Sequence, residues 1–218
     1  MPPIDDHASS RPGLFPPDLP ANAAPTGTKG RILASALAAF AERGFHGTSI
    51  RTIADGAAIN SATLYSHFPS KEHILGELVA IGSRELLARL RASLAGAESS
   101  ADRLDVLIGA TVVAHATFPL LAVVTNREFS ALSLDRAEPA IAPTREAAGL
   151  LRETLESGMA DGSFSVSSPE VTAHVLEGMA QQIPHWITPL DDPATLADQY
   201  IALSRRIVGS ARQTTDDA

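Results

Sequence analysis

Eight residues in the first third of the chain have side chains suited to reading a nucleic acid: Thr48, Arg51, Ser61, Ala62, Thr63, Tyr65, His67 and Lys71. Arginine and lysine neutralise phosphates, and arginine also pairs with guanine edges. Hydroxyls donate to phosphates or bases, and small residues let a backbone come close. This is the chemistry of recognition, with no group poised to break a bond. All eight fall in one stretch, TSIRTIADGAAINSATLYSHFPSK, from position 48 to 71.

The elements that must position them can be read from the same stretch. Thr48 is placed to cap a short helix, its hydroxyl accepting from a first-turn amide. Ile50, Ile53, Ala54 and Ala57 follow at helical spacing as one apolar face. Asn60 can cap a second helix, Ser61 to about Phe68, with Ile59 and Leu64 spaced as a hydrophobic staple. If Leu64 and Phe68 face inward, Ala62, Thr63, Tyr65 and Ser66 face outward, as a helix entering the major groove requires. Pro69 ends that helix. Ser70 caps the next, with Lys71 at its first position, where a bound phosphate would offset the repulsion from the helix dipole. Taken singly, Thr48, Asn60 and Ser70 read as caps, His67 as a surface histidine, and Tyr65 and Phe68 as core aromatics. Their combination and spacing point to DNA.

The run from Lys29 to about Leu78 resembles the DNA-binding domain of the tetracycline-repressor (TetR) family of transcriptional regulators. The matching pieces are RILASALAAFAERGFHGTSIRTIA and TLYSHFPSKEHIL. The resemblance implies base contacts from Arg51, Ser61, Ala62 and Tyr65, and phosphate contacts from Thr48, Thr63, His67 and Lys71. It also implies a homodimer, double-stranded DNA as partner, a small-molecule effector and no cofactor. Three positions depart from the family's habit: Ala58 stands where glycine is usual in the turn, and Ser61 and Ser66 where many members carry lysine and a second aromatic.

Composition is compatible with this. The 218 residues are 44% apolar, enough for one sizeable helical core or two joined ones. Cysteine is absent, which excludes disulfides, thiolate catalysis and cysteine zinc sites and suits the cytoplasm. No apolar run approaches the roughly 18 residues of a membrane helix, so no membrane partner is expected. The net charge of −8 is unevenly spread, because Thr28 to Leu75 holds five Lys/Arg against three Asp/Glu. A locally basic face can attract phosphate while the acidic remainder keeps the protein soluble.

In chain order, Met1 to Gly27 is proline-rich and reads as a disordered arm. Thr28 to Glu42 forms a first helix, closed by Arg43-Gly44. Lys71 to about Ala95 is a longer helix with a wide apolar surface. Further helices are expected at Ala101–Thr117, from Pro119 to near Leu132, Ala142 to about Ala160, from Ser168-Pro169 onward, and from Asp192-Pro193 to about Ala211, before a frayed acidic tail. The expected fold is all-α: a three-helix DNA-binding domain with a helix-turn-helix over 28–70, then a helical ligand-binding and dimerisation domain over 71–212, with 213–218 disordered. Dimerisation is assigned to two stripes: Val171, Val175, Met179, Ile183 and Trp186, and Leu196, Tyr200, Leu203 and Ile207.

No glycine-rich phosphate loop, His-Glu-x-x-His motif or Gly-x-Ser-x-Gly elbow is present. A catalytic function is the weaker alternative, and a helical adaptor that lost DNA binding is another. Between Thr111 and Ala131, polar residues interrupt apolar helices. They either pair with one another or orient a ligand. His115, Phe118, Asn126, Arg127 and Phe129 are the candidate ligand residues, with Arg127 either the anchor for a carboxylate or phosphate or paired in a salt bridge with Glu128 or another acid. The layout of the second half resembles family members that sense fatty-acyl or steroid-derived coenzyme A thioesters. That suggests an acyl-CoA or another hydrophobic effector that would release a repressor from a palindromic operator.

Overall fold

The computed structural model describes residues 14–23 and 25–209, and these residues form nine α-helices and no strand. The first helix, α1 (Gly27–Gly47), turns sharply at Gly44, whose φ of 70° only glycine adopts without strain. The expected closure at Arg43-Gly44 is therefore real, followed by one more turn carrying Phe45. Helices α2 (Ile50–Gly56) and α3 (Ser61–His67) complete the helix-turn-helix. A core of Ile32, Leu33, Leu37, Phe40, Ile53, Leu64 and Phe68 holds the three together. Two polar ties orient α2 on α1: Ser35 Oγ donates to Ile53 O at 2.8 Å, and Arg31 Nε to Ala57 O at 3.3 Å.

The expectation for Thr48 is corrected. Ser49, not Thr48, caps α2 by accepting from Thr52 N at 3.0 Å. The Thr48 hydroxyl instead donates to Ala39 O and Gly44 O, at 3.0 and 2.8 Å. A helix C-terminus leaves carbonyls without partners, and α1 takes its nearest hydroxyl. Asn60 caps α3 as expected, with Oδ1 accepting from Thr63 N at 2.7 Å.

Helix α4 (Lys71–Ser93) leaves the helix-turn-helix and runs into the second domain. It is followed by α5 (Ser100–Thr117), α6 (Pro119–Glu128), a 3-10 turn at Phe129–Ala131, α7 (Leu134–Ala160), α8 (Pro169–Trp186) and α9 (Pro193–Ile207). A second core between α5, α7, α8 and α9 includes Leu104, Val112, Leu155, Phe164, Leu176, Ile183 and Val208. No single helix among the described residues is long and apolar enough to cross a membrane.

Two further expectations are corrected. Helix α7 begins at Leu134 rather than Ala142 and continues through Pro139 and Pro143. Each proline removes an amide from the helix ladder, but this segment packs along α4, and tertiary contacts override the break. The Glu72 carboxylate accepts from Ser133 N at 2.7 Å, and Thr144 Oγ1 donates to Ser83 Oγ at 2.9 Å. The proline-rich arm is also partly ordered, since Phe15, Leu19 and Ala23 pack on the hydrophobic core and Pro20 is buried. The rest of the arm up to residue 13, and the acidic tail, lie outside the described residues.

In the turn between α2 and α3, Ala58 sits at φ 54°. That left-handed conformation costs a residue with a Cβ about 1–2 kcal/mol, and glycine's greater freedom in the unfolded chain returns part of it. Ala58→Gly is expected to raise unfolding free energy by about 0.5–1 kcal/mol, measured by urea denaturation at constant m-value.

Candidate nucleic-acid interface and effector pocket

The buried side of α3 is Leu64, and its neighbour Phe68 is also inside. Ala62, Tyr65, Ser66 and His67 are exposed, with Ser61 and Thr63 half-buried. Tyr65 keeps 52% of its surface open, unusual for a tyrosine in a domain with an aromatic core. Ser66 Oγ donates back to Thr63 O at 2.7 Å, which holds that side chain against its helix. Arg51 projects from α2 and faces only Asp55, at 3.7 Å. An exposed pair of this kind is worth little, so the guanidinium is available to another anion.

Thr48 is not part of this surface. Its residue is 2% exposed and its hydroxyl is committed to α1, so it is withdrawn as a phosphate contact. Lys71 has a double attachment: Nζ donates to Phe45 O at 2.6 Å and to Thr48 O at 2.7 Å, 4.2 Å above the Phe45 ring centre. Partial burial lowers its pKa. An ammonium has three donors, so one remains beyond the two backbone carbonyls.

The second site lies in the regulatory core. Two adjoining hollows share Leu86, His115, Asn126 and Thr144. One, of ≈580 Å³ including its mouth, is walled by leucine, isoleucine, alanine and threonine side chains of α4, α5 and α7, with Glu177 and Gln181 from α8. The other, of ≈420 Å³, reaches Gly82, Phe118 and Thr125. Helix α6 crosses α4 tightly there, because a Cβ on Gly82 would collide with Thr125 Oγ1. Two polar atoms of α6, Thr125 Oγ1 and Asn126 Nδ2, are buried without a hydrogen-bond partner among the described residues. His115 Nδ1 lies 2.9 Å from Ala180 O. A carbonyl cannot donate, so Nδ1 carries the proton, and the neutral ring keeps Nε2 as an acceptor.

His115, Phe118 and Asn126 are thus brought together, as the sequence led one to expect. Arg127 and Phe129 are not. Arg127 Nη2 donates to Phe40 O and Ala41 O at 3.2 and 3.3 Å, and Nε pairs with Glu128 at 2.6 Å. The neighbouring Glu128 carboxylate accepts from Phe45 N at 2.9 Å. These residues fasten α6 to the end of α1, so Arg127 is withdrawn as the ligand anchor. Phe129 lies in the 3-10 turn, partly exposed and away from both hollows. Sequence reasoning missed Glu177, Gln181 and Thr144. The signal for Glu177 was an acid between Leu176 and Ala180, two buried positions of α8.

An exposed recognition helix joined to a helical domain with an internal hollow defines the class as helix-turn-helix transcriptional regulators. Residues 32–78 match the family described as "Bacterial regulatory proteins, tetR family", and residues 97–208 match "Tetracyclin repressor-like, C-terminal domain". The chain is 30% identical over 202 residues to the HTH-type transcriptional repressor KstR2 of Rhodococcus jostii, covering 87% of this chain and 95% of that one. It superposes with a TM-score of 0.79 and 26% identity on a bacterial regulatory protein in the tetR family from Rhodococcus RHA1, over 86% of this chain and 100% of that one. The ketosteroid transcriptional regulator KstR2 of Mycobacterium tuberculosis gives a TM-score of 0.77 and 26% identity, over 84% and 96%. The chain belongs to the TetR family of DNA-binding transcriptional regulators.

Burial is the main cause that lowers the pKa of His115, outweighing the Ala180 hydrogen bond. The folded state therefore resists protonating it, while the unfolded chain takes a proton near 6.5. Its contribution is fully present above that value and is lost as pH falls through the lower folded value. His185 acts in the same sense, and Glu177, raised mainly by burial, in the opposite one. Melting temperature is expected to fall between pH 7 and pH 5, and His115→Gln to flatten that slope relative to the parent protein.

Proposed function

We propose that this regulator is a repressor that binds a palindromic operator as a homodimer in the cytoplasm and is released when a small hydrophobic effector fills the pocket. The observation that carries the reading is the continuity of α6. Asn126 lines the pocket, and the next two residues hold the end of α1, the helix that braces the helix-turn-helix. An effector that shifts α6 therefore shifts the DNA-binding domain.

On DNA, α3 enters the major groove with Ala62 and Tyr65 toward base edges, and Ser61 and Arg51 beside them. Thr63, His67 and the third donor of Lys71 face phosphates. One short helix spans few base pairs, so two copies about 34–36 Å apart, or a multiple, are needed to read a palindrome. Val171 and Val175 on α8, Trp186 at its end and Leu203 on α9 are exposed and apolar, which supports an interface there. Ile183 and Leu196 drop out of the expected stripes because the subunit's own core buries them.

The similarity to KstR2 repressors and the leucine-rich pocket favour a bulky apolar effector, an acyl or ring-containing group. If the effector is a coenzyme A thioester, its acyl part occupies the hollow and its nucleotide stays outside, because no lysine or arginine among the described residues lines the walls.

Operator binding by the full chain, measured by fluorescence anisotropy, tests the DNA assignments. Arg51→Ala is expected to relax discrimination at particular base pairs, by about 1–3 kcal/mol for a bidentate contact. Lys71→Met should weaken binding on every sequence, reduce the salt slope by about one and lower the melting temperature. Equal losses on all sequences from both variants would reject the division of roles.

A further inference from the structure

The walls of the pocket constrain the effector's chemistry beyond "hydrophobic", given the reading above that this pocket is the effector site. Among the described residues, no lysine or arginine lines either hollow. Arg127, next to Asn126, points instead to the carbonyls of Phe40 and Ala41. Arg89, stacked over Phe118, is committed to Glu85 at 2.7 Å. Glu177 is an acid on the wall of the hollow lined by Leu90 and Leu107. A carboxylate entering here would lose its hydration, meet no counter-charge and approach Glu177.

The unpaired polar groups favour a different partner. Asn126 Nδ2 is an amide donor, buried with no acceptor, on the wall common to both hollows. Thr125 Oγ1, the preceding residue's hydroxyl, is likewise buried and unpartnered among the described residues, on the side lined by Gly82 and Phe118. Buried donors are rarely left unsatisfied, and two on consecutive residues of one helix mark a place where an acceptor is to be supplied. The aliphatic part of the surrounding surface is leucine, isoleucine and alanine, interrupted by Thr111, His115, Thr144, Glu177 and Gln181.

We propose that the pocket selects a neutral molecule bearing a carbonyl oxygen, of the ketone or ester type, held by the Asn126 amide with the Thr125 hydroxyl as second donor, and that it rejects free carboxylates. The carbonyl completes the hydrogen bonding of α6 at the residue that precedes the Arg127–Glu128 attachment to α1. The same oxygen that confers selectivity therefore sits where the signal starts.

The test titrates the full-length protein with octan-2-one, octane and octanoate at pH 7.5 by calorimetry. The expected order is octan-2-one at least tenfold tighter than either of the others. In Asn126→Leu, octan-2-one should fall to the level of octane while octane still binds, which certifies an intact pocket. Asn126→Asp, of the same shape without the donor, should lose the ketone preference too. Octanoate binding as tightly as the ketone, a ketone preference that survives Asn126→Leu, or no ketone binding at all would overturn the inference. Operator binding in the same titrations separates it from the repressor reading. Selective ketone binding that leaves operator affinity unchanged supports the pocket chemistry and rejects effector release. Release by octanoate and not by octan-2-one does the reverse.

Discussion

The rest of the structure depends on the backbone of Phe45. Its N–H is held by Glu128 of α6 at 2.9 Å, its carbonyl by Lys71 of α4 at 2.6 Å, and its ring lies under the same ammonium. Gly44 makes this possible by turning the chain at φ 70°, with the Glu128 carboxylate directly against it. A helix end leaves carbonyls unsatisfied and carries partial negative charge. Here two cations meet that end: Lys71 at Phe45 and Thr48, and Arg127 at Phe40 and Ala41. The DNA-binding domain is thus completed by side chains of the regulatory domain.

This arrangement turns a packing contact into a coupling. Asn126 belongs to the pocket and Glu128 to the Phe45 joint, two residues apart on one helix. Rotation of α6 about its crossing with α4 at Gly82 must move both. Lys71 places the start of α4 at the same joint, and Glu72 beside it holds the start of α7 through Ser133. The first turn of α4 therefore gathers the α1–α2 corner, α6 and α7 within a few residues. Effector and operator that compete through such a joint oppose each other by one coupling free energy, typically about 1–3 kcal/mol in either direction.

Much of this was legible in the sequence for local reasons. Asn60 and Ser70 cap where their side chains predict, Gly44 turns where a glycine must, and Leu64 and Phe68 fall inside by periodicity. What was illegible depended on contacts across the chain. Thr48 and Ser49 are equally good caps by type, and only the free carbonyls of α1 decide between them. The helix expected from Ala142 begins at Leu134 and runs through Pro139 and Pro143, because packing on α4 holds a segment that the prolines would otherwise interrupt. Arg127 reads either as a ligand anchor or as the partner of its neighbour Glu128, and it does pair with Glu128, yet the carbonyls of Phe40 and Ala41 that it also holds are more than 80 positions away, as is the Phe45 amide held by Glu128. The pocket wall comes from five helices, so Glu177 and Thr144 had no sequence neighbours to identify them.

The amide of Phe45 is the most sensitive reporter of this joint. Because that amide is free only when α6 separates from α1, its native-state hydrogen exchange should require the same opening free energy as buried amides of α6 such as Val124. Glu128→Leu should accelerate exchange at Phe45 and through α2 and α3, while the amides of α8 around Leu176 stay as they were. Phe45 exchange that is fast in the parent protein, or unchanged by Glu128→Leu, would contradict the claim that this joint carries the signal.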